Sequence, residues 1–468
     1  MALRFFNTYS REVEEFIPLD PAGKVVRMYT CGPTVYHYAH IGNFRAYIFE
    51  DLLQRHLERC GYEVRRVMNL TDVDDKTIRG CLASKQPLHD FTRQYKDAFF
   101  EDLTTLRIKK ADHFPAATDA ANIARMIEMI GQLLENGHAY QAEDKSIYFR
   151  LSTFPTYGKL ANLNLDELRP SGRVRSDEYE KEHIGDFALW KAWDEKDGDV
   201  FWESPWGKGR PGWHIECSAM ATALLGPQLD IHCGGVDNIF PHHEAEIAQS
   251  ECCTGQTFVR YWLHCAHLMV EGQKMSKSLG NFYTLRDLLA KGWTGREVRY
   301  ALLSVHYRLP LNFTFEGLAA SRNALARIDE WVARLTERAA KAKAPTAHPL
   351  ANTNTFEEAL DNDLNISAAL GVLFELIRES NRLLDQNALE PGDALAILQR
   401  WGAINATLAL EKEEECIPPE VAALVEKRAA ARAAKDWPAS DTLRQEIETL
   451  GWELKDTREG QKVSRRLG

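Results

Sequence analysis

The sequence predicts an α/β protein in which a doubly wound parallel sheet, interrupted by an insertion, is followed by an α-helical bundle and a small C-terminal module. Three observations predict it. Short apolar runs that end in Gly, Pro or acidic turns alternate with helix-spaced segments early in the chain. Another strand-like run follows a stretch punctuated by Pro and Gly. Beyond Leu285 the apolar period is 3.6 residues almost throughout. The 468 residues, 44% apolar and 27% charged, suffice for two to four domains at roughly 150 residues each.

Taken in order, Val25-Val26-Arg27-Met28-Tyr29-Thr30-Cys31-Gly32-Pro33 reads as a buried strand stopped by Gly-Pro, and Ile41 to Leu57 carries helical apolar spacing. Tyr62 to Leu70 is a second strand candidate, ending at the acidic turn Thr71-Asp72-Val73-Asp74-Asp75. This strand and helix alternation is that of a doubly wound sheet, whose ligands gather at the strand C-termini. Residues 1–120 are thus the first half of the sheet domain. Residues 121–212 mix helix, short strands and Pro or Gly turns and read as an insertion; residues 213–284, with the run Leu229-Asp230-Ile231-His232-Cys233, supply the second half. Residues 285–340 form a helical region, and the polar linker Lys341 to Pro349 opens a bundle over 341–416. The acidic run Glu411 to Glu415 with Cys416-Ile417-Pro418-Pro419 marks a last boundary before a module over 417–468.

The N-terminus, MALRFFNTYSREVEEF, has no basic-then-apolar signal pattern, and no run approaches the ~18 apolar residues that span a bilayer. A cytoplasmic protein without membrane partners is expected. Nine cysteines at irregular positions argue for reduced thiols or metal ligands over a disulfide framework. The net charge of −11 does not advertise a nucleic-acid partner. From Val421 to Gly468, however, ten Lys or Arg stand against eight Asp or Glu, a net of +2.

The first strand-to-helix loop holds His40-Ile41-Gly42-Asn43. A small Gly there admits a nucleotide, and a His can donate to phosphate oxygens; alone, the tetrapeptide also reads as a polar loop with one surface histidine. Lys274-Met275-Ser276-Lys277-Ser278-Leu279-Gly280-Asn281 sets two lysines in a Ser and Gly loop, able to neutralise charge on a leaving pyrophosphate. In this order the pair resembles the two signatures of class I aminoacyl-tRNA synthetases. That resemblance implies a Rossmann-like catalytic domain in which His40, Asn43, Lys274 and Lys277 serve ATP. One departure is visible: the family signature commonly ends in a second histidine, and Asn43 stands in its place. It can donate a hydrogen bond but carries no positive charge.

A third constellation joins Cys31, Cys217 in Trp213-His214-Ile215-Glu216-Cys217, and His242 with Glu246 in Phe240-Pro241-His242-His243-Glu244-Ala245-Glu246. These four could hold one metal ion. Pro241 is a good helix starter, and i, i+4 spacing brings His242 and Glu246 to one face, about 5–6 Å apart at Cβ. The spacing matches neither paired C-x₂-C ribbons nor the H-E-x-x-H protease pattern. Six of the fifteen histidines, His214, His232, His242, His243, His264 and His267, crowd the same region; for all but His242 an orienting role is expected.

The strand-end Cys-Gly-Pro-Thr-Val-Tyr, the Gly-Trp-His-Ile-Glu-Cys run and the Phe-Pro-His-His-Glu block together resemble the cysteinyl-tRNA synthetase family. The resemblance runs nearly end to end, from Phe5-Phe6-Asn7-Thr8 to the terminal module. It implies ATP-dependent activation of L-cysteine and its transfer to tRNA(Cys) by a monomer, with Mg²⁺ accompanying ATP. It implies one Zn²⁺ on Cys31, Cys217, His242 and Glu246 that selects the substrate thiolate over serine's hydroxyl. Gly234, Gly235 and Asp237 would then meet adenine and ribose, and Gly32, Thr71 and Trp213 would surround cysteine. Residues 285–340 would touch the tRNA stem. In Lys427-Arg428-Ala429-Ala430-Ala431-Arg432-Ala433-Ala434-Lys435-Asp436-Trp437, basic residues beside an aromatic suit phosphates and unstacked bases; by resemblance, Arg432, Trp437 and Asp441 read the anticodon. Two rivals are a cysteine ligase of the mycothiol pathway, whose acceptor is an amino sugar and which lacks the tRNA-reading end, and a non-catalytic zinc-stabilised RNA-binding protein.

Overall fold

The computed structural model describes residues 2–163, 169–174, 183–276, 279–412, 418–457 and 460–465. Lys277 and the Cys416-Ile417 boundary, both singled out in the sequence, lie outside these residues. The chain divides into two compact units, Met1–Leu288 with Thr294–Ala409, and Leu289–Trp293 with Leu410–Gly468.

The first unit is organised by a four-stranded sheet in the order Val259–Cys265, Leu229–Gly235, Val25–Thr30, Glu63–Met68, parallel throughout. Register sets Thr30 opposite both Cys233 and Met68, so the strands end level with one another. From Val25–Thr30 the chain crosses to Glu63–Met68 on one side, while Leu229–Gly235 pairs on the other. That reversal is the topological switch point at which doubly wound sheets open a ligand crevice. Helix Ile41–Arg59 supplies the first crossover; His40 and Asn43 cap it reciprocally, each backbone N–H meeting the other's side chain. Helix Trp213–Leu225 packs against strands Val25–Thr30 and Glu63–Met68, and helix Glu244–Thr254 packs against that helix.

Between the halves lies a second sheet of Ala139–Gln141, Ile147–Phe149, His183–Ala192 and Arg169–Val174, with Gly209–Pro211 added to His183–Ala192. Its core of Phe149, Phe187, Leu189 and Trp190 runs on into Ile215, Phe240, Ala245 and Ala248. The insertion therefore buttresses the helices that carry Cys217 and Glu246. Further on, helices Phe315–Ala339 and Pro391–Leu408 pack with Trp331 edge-on to Trp401 at 5.9 Å, and Trp331 Nε1 donates to Ser380 Oγ of helix Ile366–Asp385 at 2.7 Å. The second unit pairs helices Pro419–Ala433 and Trp437–Thr449 with the hairpin Trp452–Thr457 and Gly460–Arg465, over a core of Val421, Ile447, Trp452 and Leu454.

The almost wholly helical expectation beyond Leu285 omits that hairpin and the short strand Leu311–Phe313, which pairs in parallel with Leu268–Val270. Three residues show no alternation that a period could detect. No described helix is long and apolar enough to cross a membrane, and the eight described cysteines are all free.

Candidate metal centre and active site

Cys31 follows the last residue of the central strand, Cys217 lies in helix Trp213–Leu225, and Glu246 lies in the first turn of helix Glu244–Thr254. The sheet crossing and the two helices bring the four expected ligands together: one ligand atom each from Cys31, Cys217, His242 and Glu246 lies within 4.8 Å of every other, and all four residues are buried. His242 Nε2 is 3.4 Å from Cys217 Sγ and 3.1 Å from Glu246 Oε1. That carboxylate oxygen has no hydrogen-bond partner although it is buried. A buried carboxylate oxygen left unmatched, turned towards two thiols and an imidazole, is a donor set that fits a soft divalent cation. The helix expected to start at Pro241 does not run regularly from there. Phe240 is extended, and His242 sits in a wider turn that joins helix Glu244–Thr254. The contact between His242 and Glu246 survives this irregularity.

A second tetrad overlaps the first. Cys31, His232, His243 and Glu246 also place one ligand atom each within 4.8 Å of the others. Sequence reasoning noted these histidines without assigning them to Cys31 or Glu246; the crowding of six histidines was the available signal. His232 Nε2 meets Glu246 Oε2 at 3.0 Å, leaving Oε1 for the cluster. His243 Nε2 lies 3.3 Å from Cys31 Sγ, and its Nδ1 continues to His264 Nε2 at 2.8 Å and on to Thr8 Oγ1 at 2.8 Å. The Trp213 ring stacks on His242 at 4.2 Å and 20°. His214 Nδ1 approaches His242 Nδ1 at 3.0 Å.

Burial governs the protonation of this cluster. It pushes the thiols of Cys31 and Cys217 up and brings His214, His232, His242 and His264 down to about 3. Glu246 is pushed up to about 7 by burial, against the pull of His242. The imidazoles are therefore neutral, the form in which they bind metal, and a cation would displace the thiol protons.

In the first strand-to-helix loop, His40 is the N-cap of helix Ile41–Arg59, and its Nδ1 accepts the Asn43 backbone N–H at 3.2 Å. In a neutral ring this puts the proton on Nε2. Asn43 Oδ1 accepts the His40 N–H at 3.1 Å, so its side-chain NH₂ is the group that can donate outward. A Cβ at Gly42 would press on the His40 ring at 2.9 Å, which is why glycine fits there. Ile41 N–H donates to Tyr283 O at 3.0 Å, and His40 pairs with Thr284, so the segment after the lysine loop lies against the first motif. Asn281 ties the loop's ends, accepting from Ser276 N–H at 2.8 Å and donating to the carbonyl of Lys274 at 3.2 Å.

Gly234 and Gly235 end strand Leu229–Gly235; a Cβ on Gly234 would meet His243 and Asn238, and one on Gly235 would meet the Asp237 carboxylate. Gly32 N–H donates to Asn69 Oδ1 at 2.9 Å. Thr71 is buried and donates to Glu216 Oε2 at 2.9 Å. With Trp213, these residues border the cluster of Cys31, Cys217, His242 and Glu246 at the C-terminal edge of the sheet. In the second unit the Arg432 guanidinium sits 5.7 Å over the Trp437 ring and 3.1 Å from Asp456, while Trp437 is 54% exposed and Asp441 is exposed.

Comparison with known proteins agrees with this geometry. The family described as tRNA synthetases class I (C) catalytic domain matches residues 19–323, the DALR domain matches 355–408, and the cysteinyl-tRNA ligase anticodon binding domain matches 415–463. The cysteine--tRNA ligase of Protochlamydia amoebophila is 50% identical over 471 residues, covering 99% of this chain and 98% of that protein. That of Chlamydia pneumoniae is 52% identical over 468 residues, covering 98% of each. Among solved structures, Mycobacterium tuberculosis methionyl-tRNA synthetase in complex with methionyl-adenylate superposes with a TM-score of 0.61 at 16% identity, covering 82% of this chain and 89% of that one. The fold is that of class I synthetases, and the chain belongs to the cysteinyl-tRNA ligase family.

Proposed function

We propose that the protein is a monomeric cytoplasmic cysteine--tRNA ligase that activates L-cysteine with Mg²⁺-ATP and transfers it to the 3′ end of tRNA(Cys). The observation that carries this reading is the buried cluster of Cys31, Cys217, His242 and Glu246 at the sheet's ligand edge, beside Gly32 and Trp213. Two thiolates, an imidazole and a carboxylate suit Zn²⁺. Bound there, Zn²⁺ would take the substrate thiolate as an added ligand and discriminate against serine, whose hydroxyl stays protonated.

The chain's own groups position and stabilise. The cysteine carboxylate forms a bond to the α-phosphorus of ATP as the bond to the bridging oxygen breaks, and pyrophosphate leaves with its charge met by His40 Nε2–H, Asn43, Lys274, Lys277 and Mg²⁺. Gly234 and Gly235 leave room for adenine, and Asp237 accepts from ribose hydroxyls. Gly32, Thr71 and Trp213 surround the cysteine. The terminal adenosine hydroxyl of tRNA then attacks the activated carbonyl and AMP departs. Residues 285–340 act as the stem contact and 417–468 read the anticodon through Arg432, Trp437 and Asp441.

The test is aminoacylation of total tRNA with labelled cysteine and ATP, with serine and a glucosamine-inositol acceptor run in parallel. Charging of tRNA with cysteine alone is the expected result. Transfer to the sugar would mean the mycothiol-type ligase, and absence of cysteine-dependent pyrophosphate exchange would overturn the enzyme reading. Lys277→Ala is expected to abolish exchange with the fold unchanged.

A further inference from the structure

A third cluster of metal-ligating side chains stands apart from the active site. At the C-terminal end of helix Ile41–Arg59, Cys60 continues the last turn, its N–H bonded to His56 O at 2.9 Å, so His56 and Cys60 share one helical face. Asp361, the last residue of helix Thr355–Asp361, faces them. One ligand atom from each of the three lies within 4.8 Å of the others. His56 Nε2 is 2.9 Å from Asp361 Oδ1, and Cys60 Sγ is 3.8 Å from His56 Nε2 and 4.0 Å from Asp361 Oδ1.

These separations can be compared with the edges of a coordination tetrahedron. Zinc bonds of about 2.3 Å to sulfur and about 2.1 Å to nitrogen or oxygen put S···N and S···O about 3.6 Å apart and N···O about 3.4 Å apart. No edge of the trio differs from these by more than about half an ångström, within reach of ordinary side-chain adjustment. We infer that His56, Cys60 and Asp361 form a second divalent-cation site, of zinc type, with three protein ligands and an open fourth position.

The surroundings are consistent with a cation. Glu357, one turn before Asp361, is already paired with Arg59 and Arg400. Cys60 is exposed, and a cavity of about 510 Å³ lined by Ala2, Arg4, Glu15, Asp361 and Asn362 opens beside the carboxylate. A redox or nucleophilic role for Cys60 is disfavoured, because burial and then the Asp361 charge push its thiol up to about 11. Binding requires neutral His56 to ligate through Nε2 and the Cys60 thiol to give its proton to solvent, so affinity rises with pH. His56 Nδ1 has no hydrogen-bond partner. Without an outer partner to fix the ring, the site is expected to be about 10–100-fold weaker than a fully supported one, and mild chelation should strip it first.

The test uses the full-length protein, dialysed against a mild chelator and titrated with Co²⁺. Wild type is expected to take up one further equivalent with thiolate-to-cobalt charge-transfer absorption and tetrahedral d–d bands. Cys60→Ala should lose that absorption and the added equivalent, and Asp361→Asn, which keeps an acceptor for His56, should weaken uptake at least about tenfold. Cysteine activation without added metal should be unchanged in Cys60→Ala. Equal uptake and equal spectra in wild type and Cys60→Ala would overturn the proposal, as would no added uptake by wild type at millimolar Co²⁺.

Discussion

Gly42 shows how much the chemistry depends on single atoms. A methyl there would meet His40 Nδ1 and Cε1, and Met275 Cε at 3.3 Å, so the imidazole must turn or the backbone must move. Gly42→Ala is expected to lower kcat for pyrophosphate exchange by about 100-fold, as a displacement near an ångström does, with zinc content unchanged. Cys217→Ser tests the other half of the site. It replaces a soft donor with a hydroxyl that stays protonated, so the zinc retained at the proposed site should fall by elemental analysis. Cysteine kcat/KM should drop by more than the about 10–100-fold typical of losing an outer partner. The grouping of Cys31, Cys217, His242 and Glu246 was legible because the strand-end Cys-Gly-Pro, the Trp-His-Ile-Glu-Cys run and the Pro-His-His-Glu block resemble a known family, and the structure brings the four side chains together. The roles of His232 and His243 were not: six clustered histidines look alike in sequence, and only the 3.0 Å approach of His232 to Glu246 Oε2 and the 3.3 Å approach of His243 to Cys31 Sγ separate them. Asn43 looked like a weakened signature residue, and its capping bond to His40 becomes visible only with the helix N-terminus in place.

Between elements, Arg299 performs a joining role that no motif announces. Its fully buried guanidinium donates to Leu408 O at 2.8 Å, Leu106 O at 3.0 Å and Asp51 Oδ2 at 2.6 Å, tying helix Gly295–Leu303 to Ile41–Arg59 and to the ends of Leu88–Thr105 and Pro391–Leu408. Burial raises the Asp51 carboxyl, but Arg299, Arg55 and the Lys109 amide more than reverse this and hold it below the usual range. A folded pKa below the unfolded value of about 3.9 stabilises above roughly pH 4 and loses that stabilisation as pH falls through the folded value. Asp51→Ala would leave Arg299 buried and unpaired, at a cost of about 3–5 kcal/mol. Its urea midpoint should fall at neutral pH and vary less with acid than that of wild type; equal midpoints would contradict this. Asp51 and Arg55 have only the spacing of an i, i+4 helix pair, and a partner for Asp51 that lies 248 residues away leaves no local periodicity. Three strands of the parallel sheet, by contrast, were legible as runs closed by turn residues, whereas the edge strand Val259–Cys265 was not singled out. Gly32-Pro33 and the Thr71 to Asp75 turn punctuate the first two strongly, so Tyr62 to Leu70 settled to Glu63–Met68.

At the scale of the whole molecule, charge is spread unevenly along the chain. The chain carries −11, yet Val421 to Gly468 carries ten basic against eight acidic residues, a local excess suited to a polyanion that the acidic bulk would otherwise repel. Asp456 draws Arg428, Arg432 and Arg444 together. Those three arginines thus surround a single carboxylate, and Arg432 is held over the exposed Trp437 ring. An aromatic face backed by a fixed cation is a stacking platform for an unpaired base, worth about 1–3 kcal/mol per base. Trp437→Ala should therefore raise the KM for tRNA by about 5- to 150-fold, the factor that 1–3 kcal/mol gives. ATP–pyrophosphate exchange with cysteine, which needs no tRNA in the proposed first step, should be unchanged. Equal loss in both assays would mean that Trp437 supports the fold instead of reading a base. Unchanged tRNA KM would remove it from the interface and leave the basic residues of the module to account for recognition, which the salt dependence of KM would then measure.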